Sequence, residues 1–318
     1  MAKRATIDIK GLEKIVLKRE IGSNILDLVC NLATNGFFAA LDELIANMYD
    51  SDAAEGRIDF ESEAQTMTAS DNGTGMTPEG LRDFYRVGDS PKAKGMITPI
   101  FRRPMIGKFG IGTSLLNYLC HEYVLVTEKD GIRTEVHEVF DGPLNSNKKI
   151  PFKISETDPN NQGTSIKMIN LKFEEGEDFT IKDLKSRIQW GFLPDPNFQK
   201  YIDGEFIEAR YLETATTFKV DEIGKHMGHV KGEIHYLSRT NENAGLHVYV
   251  NSKRVGDPKA IIDWSTLRSS LTRKVVGVIK ANDMDEAILF DRGRLNESHP
   301  GYKELQNMLR AKLTEVDG

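Results

Sequence analysis

The sequence predicts two α+β domains, and three observations carry that prediction. The chain has 318 residues, about twice the ~150-residue domain prior, and a single core stops growing at roughly 250–300 residues. Helical and strand signals alternate through the first half. The acidic stretch Phe173-Glu174-Glu175-Gly176-Glu177-Asp178 interrupts that alternation and is the best boundary, giving domains 1–175 and 176–318.

The first helix is predicted over Phe37 to Ala53, where Phe37, Leu41, Leu44, Ile45 and Met48 recur at helical spacing. Arg57–Phe60 and Gln65–Ala69 read as a strand pair. Thr77-Pro78 supplies an N-cap and a proline at the first helical position, opening a helix through Tyr85. Residues 86–112 are rich in Gly, Pro, Lys and Arg and offer few apolar anchors. That segment reads as a long loop that opens at low free energy without a ligand.

A helix follows from Thr113. Tyr123–Thr127 and Arg133–Val139 then flank Lys129-Asp130-Gly131, a hairpin signal. Ile150–Ser155 and Thr164–Leu171 add strands. Beyond the boundary come a helix near Ile181–Trp190, the Pro-rich Leu193-Pro194-Asp195-Pro196, strands around Gly232–Leu237 and Leu246–Val250, and helices at Pro258–Leu267 and Tyr302–Lys312.

Composition narrows the class. With 39% hydrophobic and 28% charged residues the chain is an ordinary globular protein. Its 42 basic and 48 acidic side chains leave a net charge of −6, which is not the balance of a dedicated nucleic-acid binder. Cys30 and Cys120 both sit in apolar stretches and read as buried free thiols, which suits a reducing compartment. No secretory signal opens the chain, and no apolar run approaches the ~20 residues that span a bilayer. A cytoplasmic location with no membrane partner is the expectation.

Four segments carry chemistry. Glu43, Asn47 and Asp50 fall at i, i+4 and i+7 on one face of the first helix, opposite its apolar stripe. Ala69-Ser70-Asp71-Asn72-Gly73-Thr74-Gly75-Met76 runs a strand into Asp-x-Gly-x-Gly, leaving a carboxylate at the strand end and bare backbone able to approach a flat ligand. Ile106-Gly107-Lys108-Phe109-Gly110-Ile111-Gly112-Thr113 sets three glycines before a helix, an arrangement that offers amide donors to an anion. Gln162-Gly163-Thr164-Ser165 opens an apolar strand. Taken singly, these patterns also suit a solvated helix face, a tight turn, a flexible hinge and a strand end.

In this order, Glu43-x-x-x-Asn47, Asp71-x-Gly73-x-Gly75, Gly107-x-x-Gly110-x-Gly112 and Gly163-Thr164 resemble the GHKL ATPase superfamily. That group includes gyrase, the ninety-kilodalton heat-shock chaperone, sensor histidine kinases and MutL. Glu43-Leu44-Ile45-Ala46-Asn47-Met48-Tyr49-Asp50-Ser51-Asp52-Ala53 looks most like MORC-type and related bacterial ATPases. The resemblance covers about residues 20–172. It implies an α/β sandwich (the Bergerat fold) with a mostly antiparallel sheet. Gly245–Asn251 and Asp291–Glu297 look more loosely like the transducer domain that follows it.

The resemblance also implies roles. Glu43 would be the general base, and Asn47 would hold Mg²⁺ through its amide oxygen. Asp50 would support the nucleotide side of the helix. Asp71 would accept a hydrogen bond from the adenine amine, with Gly73, Gly75 and Met76 beside the base and Thr164 completing the pocket. Gly107, Lys108, Phe109, Gly110, Ile111 and Gly112 would close over the phosphates. A cation on the γ-phosphate is sought among Arg292, Arg294, Lys253 and Arg254, with Arg292 favoured. ATP or ADP and Mg²⁺ are then the cofactors, and an ATP-dependent homodimer with residues 1–25 as an exchanged strap is the expected partner state. A nucleotide-gated scaffold and a histidine kinase are the rivals. Against the kinase, His121-Glu122 lies after the glycine segment and no phosphoacceptor helix precedes Glu43. His226 and His229 lack an evident third metal ligand, and Trp190 and Trp264 read as packing.

Overall fold

Polar and apolar residues alternating at 55–61 and 66–71 build a hairpin, β1 (Glu55–Glu61) paired antiparallel with β2 (Thr66–Asp71). The structure is a computed structural model that describes residues 9–12, 15–21, 37, 40–87, 96–107, 112–140, 148–172, 180–289 and 294–317. Further along come β3 (Cys120–Lys129), β4 (Ile132–Val139), β5 (Phe152–Glu156), β6 (Gly163–Leu171), β7 (Gln199–Ile202) and β8 (Glu205–Phe206). Together they form one eight-stranded sheet in the order β8-β7-β1-β2-β6-β3-β4-β5. Every pairing in it is antiparallel except β7 with β1. Asp130 and Gly131 take φ of 52° and 79° between β3 and β4, the two positive values that a tight hairpin requires.

The chain divides into two compact units, and residues 195–207 belong to the first. This return is visible in β7, which pairs in parallel with β1. It depends on Gly56, where a Cβ would lie 2.9 Å from the Phe198 ring and from Met48 Sδ. Helix α1 (residues 40–50) buries the predicted stripe of Leu41, Leu44, Ile45 and Met48. Asp42, Glu43 and Asp50 are buried as well, so the helix is enclosed rather than amphipathic. Helix α2 (Gly112–Leu119) follows the glycine segment.

The segment 96–107 differs from the expected open loop. Ile97 and Pro104 form a bridge, Thr98 N–H donates to the Arg103 carbonyl (2.8 Å), and Met105 N–H donates to that of Met96 (2.9 Å). Arg103, only 3% exposed, donates to the carbonyls of Tyr49 (3.3 Å), Ala53 (2.6 Å) and Asn197 (3.0 Å). Its guanidinium also lies over the rings of Tyr49, Phe101 and Phe198. The Asp52 carboxylate accepts from the amides of Ile100 (2.6 Å) and Phe101 (3.1 Å). Burial on its own raises the Asp52 carboxyl; the donors Thr98, Ile100 and Phe101 and the Arg103 charge outweigh it and leave the group below its ordinary value. The anchors of this segment are polar and charged, which a search for apolar anchors does not find.

Near the start of the chain, Leu17–Lys18 pairs with Lys149–Ile150, and Glu20–Ile21 pairs in parallel with Arg86–Val87. Buried Arg19 donates to Glu138 Oε2 (2.7 Å), which also accepts from Tyr123 (2.8 Å). Residues 17–21 of the expected strap are thus strand-paired within the chain. The helix expected from Thr77-Pro78 is a single turn, Leu81–Phe84, and Thr77 Oγ1 caps Gly80 N–H (3.1 Å). Cys120 is a buried free thiol whose burial pushes it up to about 12; Cys30 lies outside the described residues.

The second unit holds helix α3 (Ile181–Gly191), β9 (Thr214–Gly224), β10 (Gly228–Leu237), β11 (Gly245–Val250), β12 (Lys253–Val255), β13 (Val275–Lys280) and helix α4 (Pro300–Asp317). Its sheet runs β9-β10-β13-β11-β12, and only β13 with β11 is parallel. Leu305, Leu309 and Leu313 share a face of α4 and pack into a core with Val220, Ile234, Leu246 and Ile279. Trp190 packs in a separate cluster with Leu237 and Val276 and stacks on His247, 4.3 Å between ring centroids. The helix expected at Pro258–Leu267 is a run of turns: Asp257 and Asp263 accept from the amides of Lys259 (2.8 Å) and Ser265 (2.9 Å), and such bonds compete with a helix. Among the described residues no helix is long and apolar enough to cross a membrane.

Arg103 joins three segments of the first unit, so Arg103→Ala leaves buried carbonyls without donors. It is expected to destabilise the protein by about 3 kcal/mol or more, read as a lower urea midpoint. In hydrogen exchange, the amides of Thr98, Ile100, Phe101, Ile106 and Gly107 are expected to be protected without any ligand.

Candidate functional site

Strand register assembles the site. In the sheet, Gly56, Asp71, Thr164 and Thr127 stand side by side on β1, β2, β6 and β3, and residues in register present side chains to one face. Thr127 Oγ1 accepts from Met76 N–H (2.8 Å), donates to the Gly163 carbonyl (3.2 Å) and meets Thr164 Oγ1 at 3.2 Å. One buried hydroxyl therefore ties Met76, Gly163 and Thr164 together.

The C-terminal end of α1 meets this row. Asp71 Oδ1 accepts from Ser51 Oγ (3.0 Å) and Gly73 N–H (2.8 Å), and Thr74 N–H donates to the Ser51 carbonyl (2.7 Å). Asn72 Oδ1 accepts from the amides of Ala54 and Glu55, both at 2.8 Å, which fastens the turn to the start of β1. Burial pushes the Asp71 carboxyl up to about 6, against hydrogen bonds from Gly73, Ser51 and Thr164 that lower it.

Each glycine of the motif answers to a neighbour in the protein. At Gly73 a Cβ would lie 2.1 Å from Ser51 Oγ; at Gly75 (φ +60°), 2.1 Å from the Glu128 carbonyl oxygen; at Gly163 (φ +130°), 2.2 Å from the Asp71 carbonyl oxygen. At Gly73 and Gly75, where room beside a ligand is expected, the space is taken up by the fold's own close approaches, as it is at Gly163.

Helix α1 spaces the remaining groups. At ~1.5 Å per residue, Asn47 stands roughly 6 Å and Glu43 roughly 12 Å from Ser51 along the axis. Glu43 is 6% and Asp50 5% exposed, whereas Asn47 is partly exposed. The solvated-face reading fails for this helix. Asp50 is spoken for: its oxygens accept from the amides of Ile106 (2.7 Å) and Gly107 (2.5 Å). It fixes the start of the glycine segment to α1, and Gly112 opens α2 at the other end. Lys108, Phe109, Gly110, Ile111 and Arg292 lie outside the described residues. Of the other candidate cations, Lys253 is buried and Arg294 exposed.

Ser51 and Thr127 are the residues that sequence reasoning passes over. Ser51 sits inside the quoted helix motif, and Thr127 is an ordinary strand residue whose place beside Thr164 only register reveals. Among the described residues no group of three or more His, Cys, Asp or Glu could hold a metal ion, and His229 Nε2 is instead bonded to Asp221 at 2.5 Å. Mg²⁺ needs no such cage, because it keeps waters and takes substrate phosphates beside one or two protein oxygens. A partly exposed Asn47 amide fits that demand.

A mostly antiparallel sheet that carries an aspartate–glycine turn against an enclosed acidic helix is the arrangement of an α/β sandwich. Residues 34–170 match a family model described as histidine kinase-, DNA gyrase B-, and HSP90-like ATPase. The match supports the GHKL superfamily for this part of the chain. No curated protein matches the chain.

Gly75 combines a positive φ with the closest backbone approach, so Gly75→Ala strains the turn and drives the Glu128 carbonyl away. A loss of roughly 2 kcal/mol or more is expected, measured as a lower melting temperature.

Proposed function

We propose that the first unit binds ATP with Mg²⁺ and hydrolyses it. The observation that carries this reading is that Asp71 stands beside Thr164 in the sheet and bonds Ser51 at the end of α1, the helix that bears Asn47 and Glu43. Asp71 accepts the adenine amine, with Thr164 at its side. The triphosphate then runs back along α1, past Asn47, towards Glu43. The glycine segment from Gly107 to Gly112, with Lys108, supplies amides and charge to the phosphates, and Asp50 sets where it starts. Arg292 is the cation assigned to the γ-phosphate.

Asn47 would hold Mg²⁺, which supplies positive charge to the phosphate oxygens. Glu43 takes a proton from a water whose oxygen bonds to the γ-phosphorus; the bond from that phosphorus to the β–γ bridging oxygen breaks, and ADP leaves. Lid closure and ATP-dependent dimerisation complete the cycle.

Single-turnover assays with purified protein test the reaction: inorganic phosphate supports an ATPase, a phosphoprotein a kinase, and neither a scaffold. Glu43→Ala is expected to lower hydrolysis by ~10²–10⁴ while leaving ADP affinity within a few-fold. Asp71→Asn removes the charge that accepts the amine and is expected to weaken ATP and ADP alike, by about 1–3 kcal/mol in calorimetry. Unchanged ADP affinity would sink the assignment. The pH dependence has a definite sign. A carboxyl raised to about 6 is protonated below that value, so adenine-nucleotide affinity is expected to fall as pH drops through about 6.

A further inference from the structure

We propose that Ser51 is a positioning residue that aims Asp71 and holds its carboxylate ionised, so that adenine recognition depends on a hydroxyl at the end of helix α1. The inference rests on the nucleotide reading for its consequence, though not for its geometry. Ser51 Oγ lies 2.7 Å from the Met48 carbonyl oxygen and 3.0 Å from Asp71 Oδ1. A serine has one hydroxyl proton for these two acceptors. A charged acceptor makes the stronger bond, roughly twice the neutral one. The proton therefore goes to Asp71 when the carboxylate is ionised and returns to the helix carbonyl when it is not.

The surroundings limit the hydroxyl to those two choices. Gly73 packs so closely that a Cβ there would lie 2.1 Å from Ser51 Oγ and 2.5 Å from the Ser51 carbonyl oxygen. The Ser51 backbone is held at both ends, its N–H donating to Asn47 (2.9 Å) and its carbonyl accepting from Thr74 (2.7 Å). If the side chain swung away, Asp71 Oδ1 would lose its one side-chain donor among these residues.

Among the described residues, few other groups act on this carboxylate. The amides of Gly73 and Thr164 are its other donors, and both are backbone, fixed by the turn and the β2–β6 ladder. On the elements packed around it, Asp50 is bonded to Ile106 and Gly107, and Asp52 to Ile100 and Phe101. Glu43 stands two turns up α1. Glu55 and Arg57 pair with each other from positions flanking Gly56, on the opposite face of β1, and Glu128 pairs with Arg133 and Thr157. No cation balances Asp71 in this set. Ser51 is the one side-chain donor on it there, and hence the one that a substitution can remove without touching the strand ladder.

The test reads Asp71 directly in the protein without nucleotide. With ¹³C at the aspartate carboxyl carbons, the Asp71 resonance is identified by its loss in Asp71→Asn and followed from pH 4 to 8.5. Ser51→Ala is expected to raise its midpoint by about 0.4–1 pH unit, the worth of one hydrogen bond. Above the midpoint it should also lower the melting temperature modestly, because the ionised carboxylate loses that bond in the folded state alone. An unmoved midpoint overturns the proposal. Calorimetry with ADP then tests the consequence: Ser51→Ala is expected to lose several-fold more affinity at pH 6 than at pH 8.5. A shifted midpoint with ADP affinity unchanged at both pH values keeps the effect of Ser51 on Asp71 and removes the adenine role from both residues. Wild-type protein that binds no adenine nucleotide removes the nucleotide reading itself, and the carboxyl titration still decides what Ser51 does.

Discussion

The guanidinium of Arg103 is the interaction on which the first unit depends. A buried arginine stays charged, so it needs partners in place before it can leave water. Here they come from separate parts of the chain: the carbonyls of Tyr49 and Ala53 at the end of α1, and that of Asn197 from the segment that returns after the Pro-rich turn. Rings of Tyr49, Phe101 and Phe198 enclose it. The end of α1, the 96–107 segment and the returning strand are thus placed by a common requirement. Asp52 repeats the device from the helix side by holding the amides of Ile100 and Phe101.

What this fixes is the point where α1 stops, and the site is built on that point. Ser51 follows the last helical residue, and its carbonyl and hydroxyl set the height of the Asp71–Gly75 turn against the helix. Asp50, one residue earlier, sets where the glycine segment begins. A slip of one residue at this helix end would move the carboxylate, the turn and the glycine segment together. The three glycines fit the same account. Each lets two protein backbones come closer than a side chain would permit, and the site's dimensions follow from those approaches.

Much of the architecture was legible because it rests on periodicity. The α1 stripe is buried, the hairpin turns at Asp130-Gly131, and the helix expected at Tyr302–Lys312 lies within α4. What escaped was non-local or polar. Strand β7 is defined by a partner more than a hundred residues away, and nothing in Gln199–Ile202 itself announces a parallel neighbour. Val275–Lys280 lies between β10 and β11, and its continuous Val-Val-Gly-Val-Ile run has no alternation to mark a strand. At the site, the motifs were visible in order, whereas Ser51 and Thr127 gain their roles only from register and from a helix end. The polar anchors of 96–107 were hidden for the same reason: Gly, Pro and basic residues read as loop until their partners are known.

The places where the sequence breaks a local rule are also the places where the structure concentrates its charge. A helix that is enclosed on nearly every side would ordinarily be apolar all round, yet α1 buries Asp42, Glu43 and Asp50. Asp50 and Asp52 can be understood through stability, because each ends on backbone amides that a turn leaves unpaired. Asp71 cannot be understood that way. Its three donors do not offset its burial, since its carboxyl still stands near 6 rather than below its ordinary value. At neutral pH the fold thus keeps a carboxylate ionised in a place that disfavours the charge. An asparagine would keep an oxygen for Gly73 and Ser51 without the charge, though its NH2 group could not accept from the Thr164 amide. A carboxylate that is buried in its own fold, aligned with a threonine and bonded by a serine, is poised to gain from one more donor, which is the part we propose for the amine of an adenine.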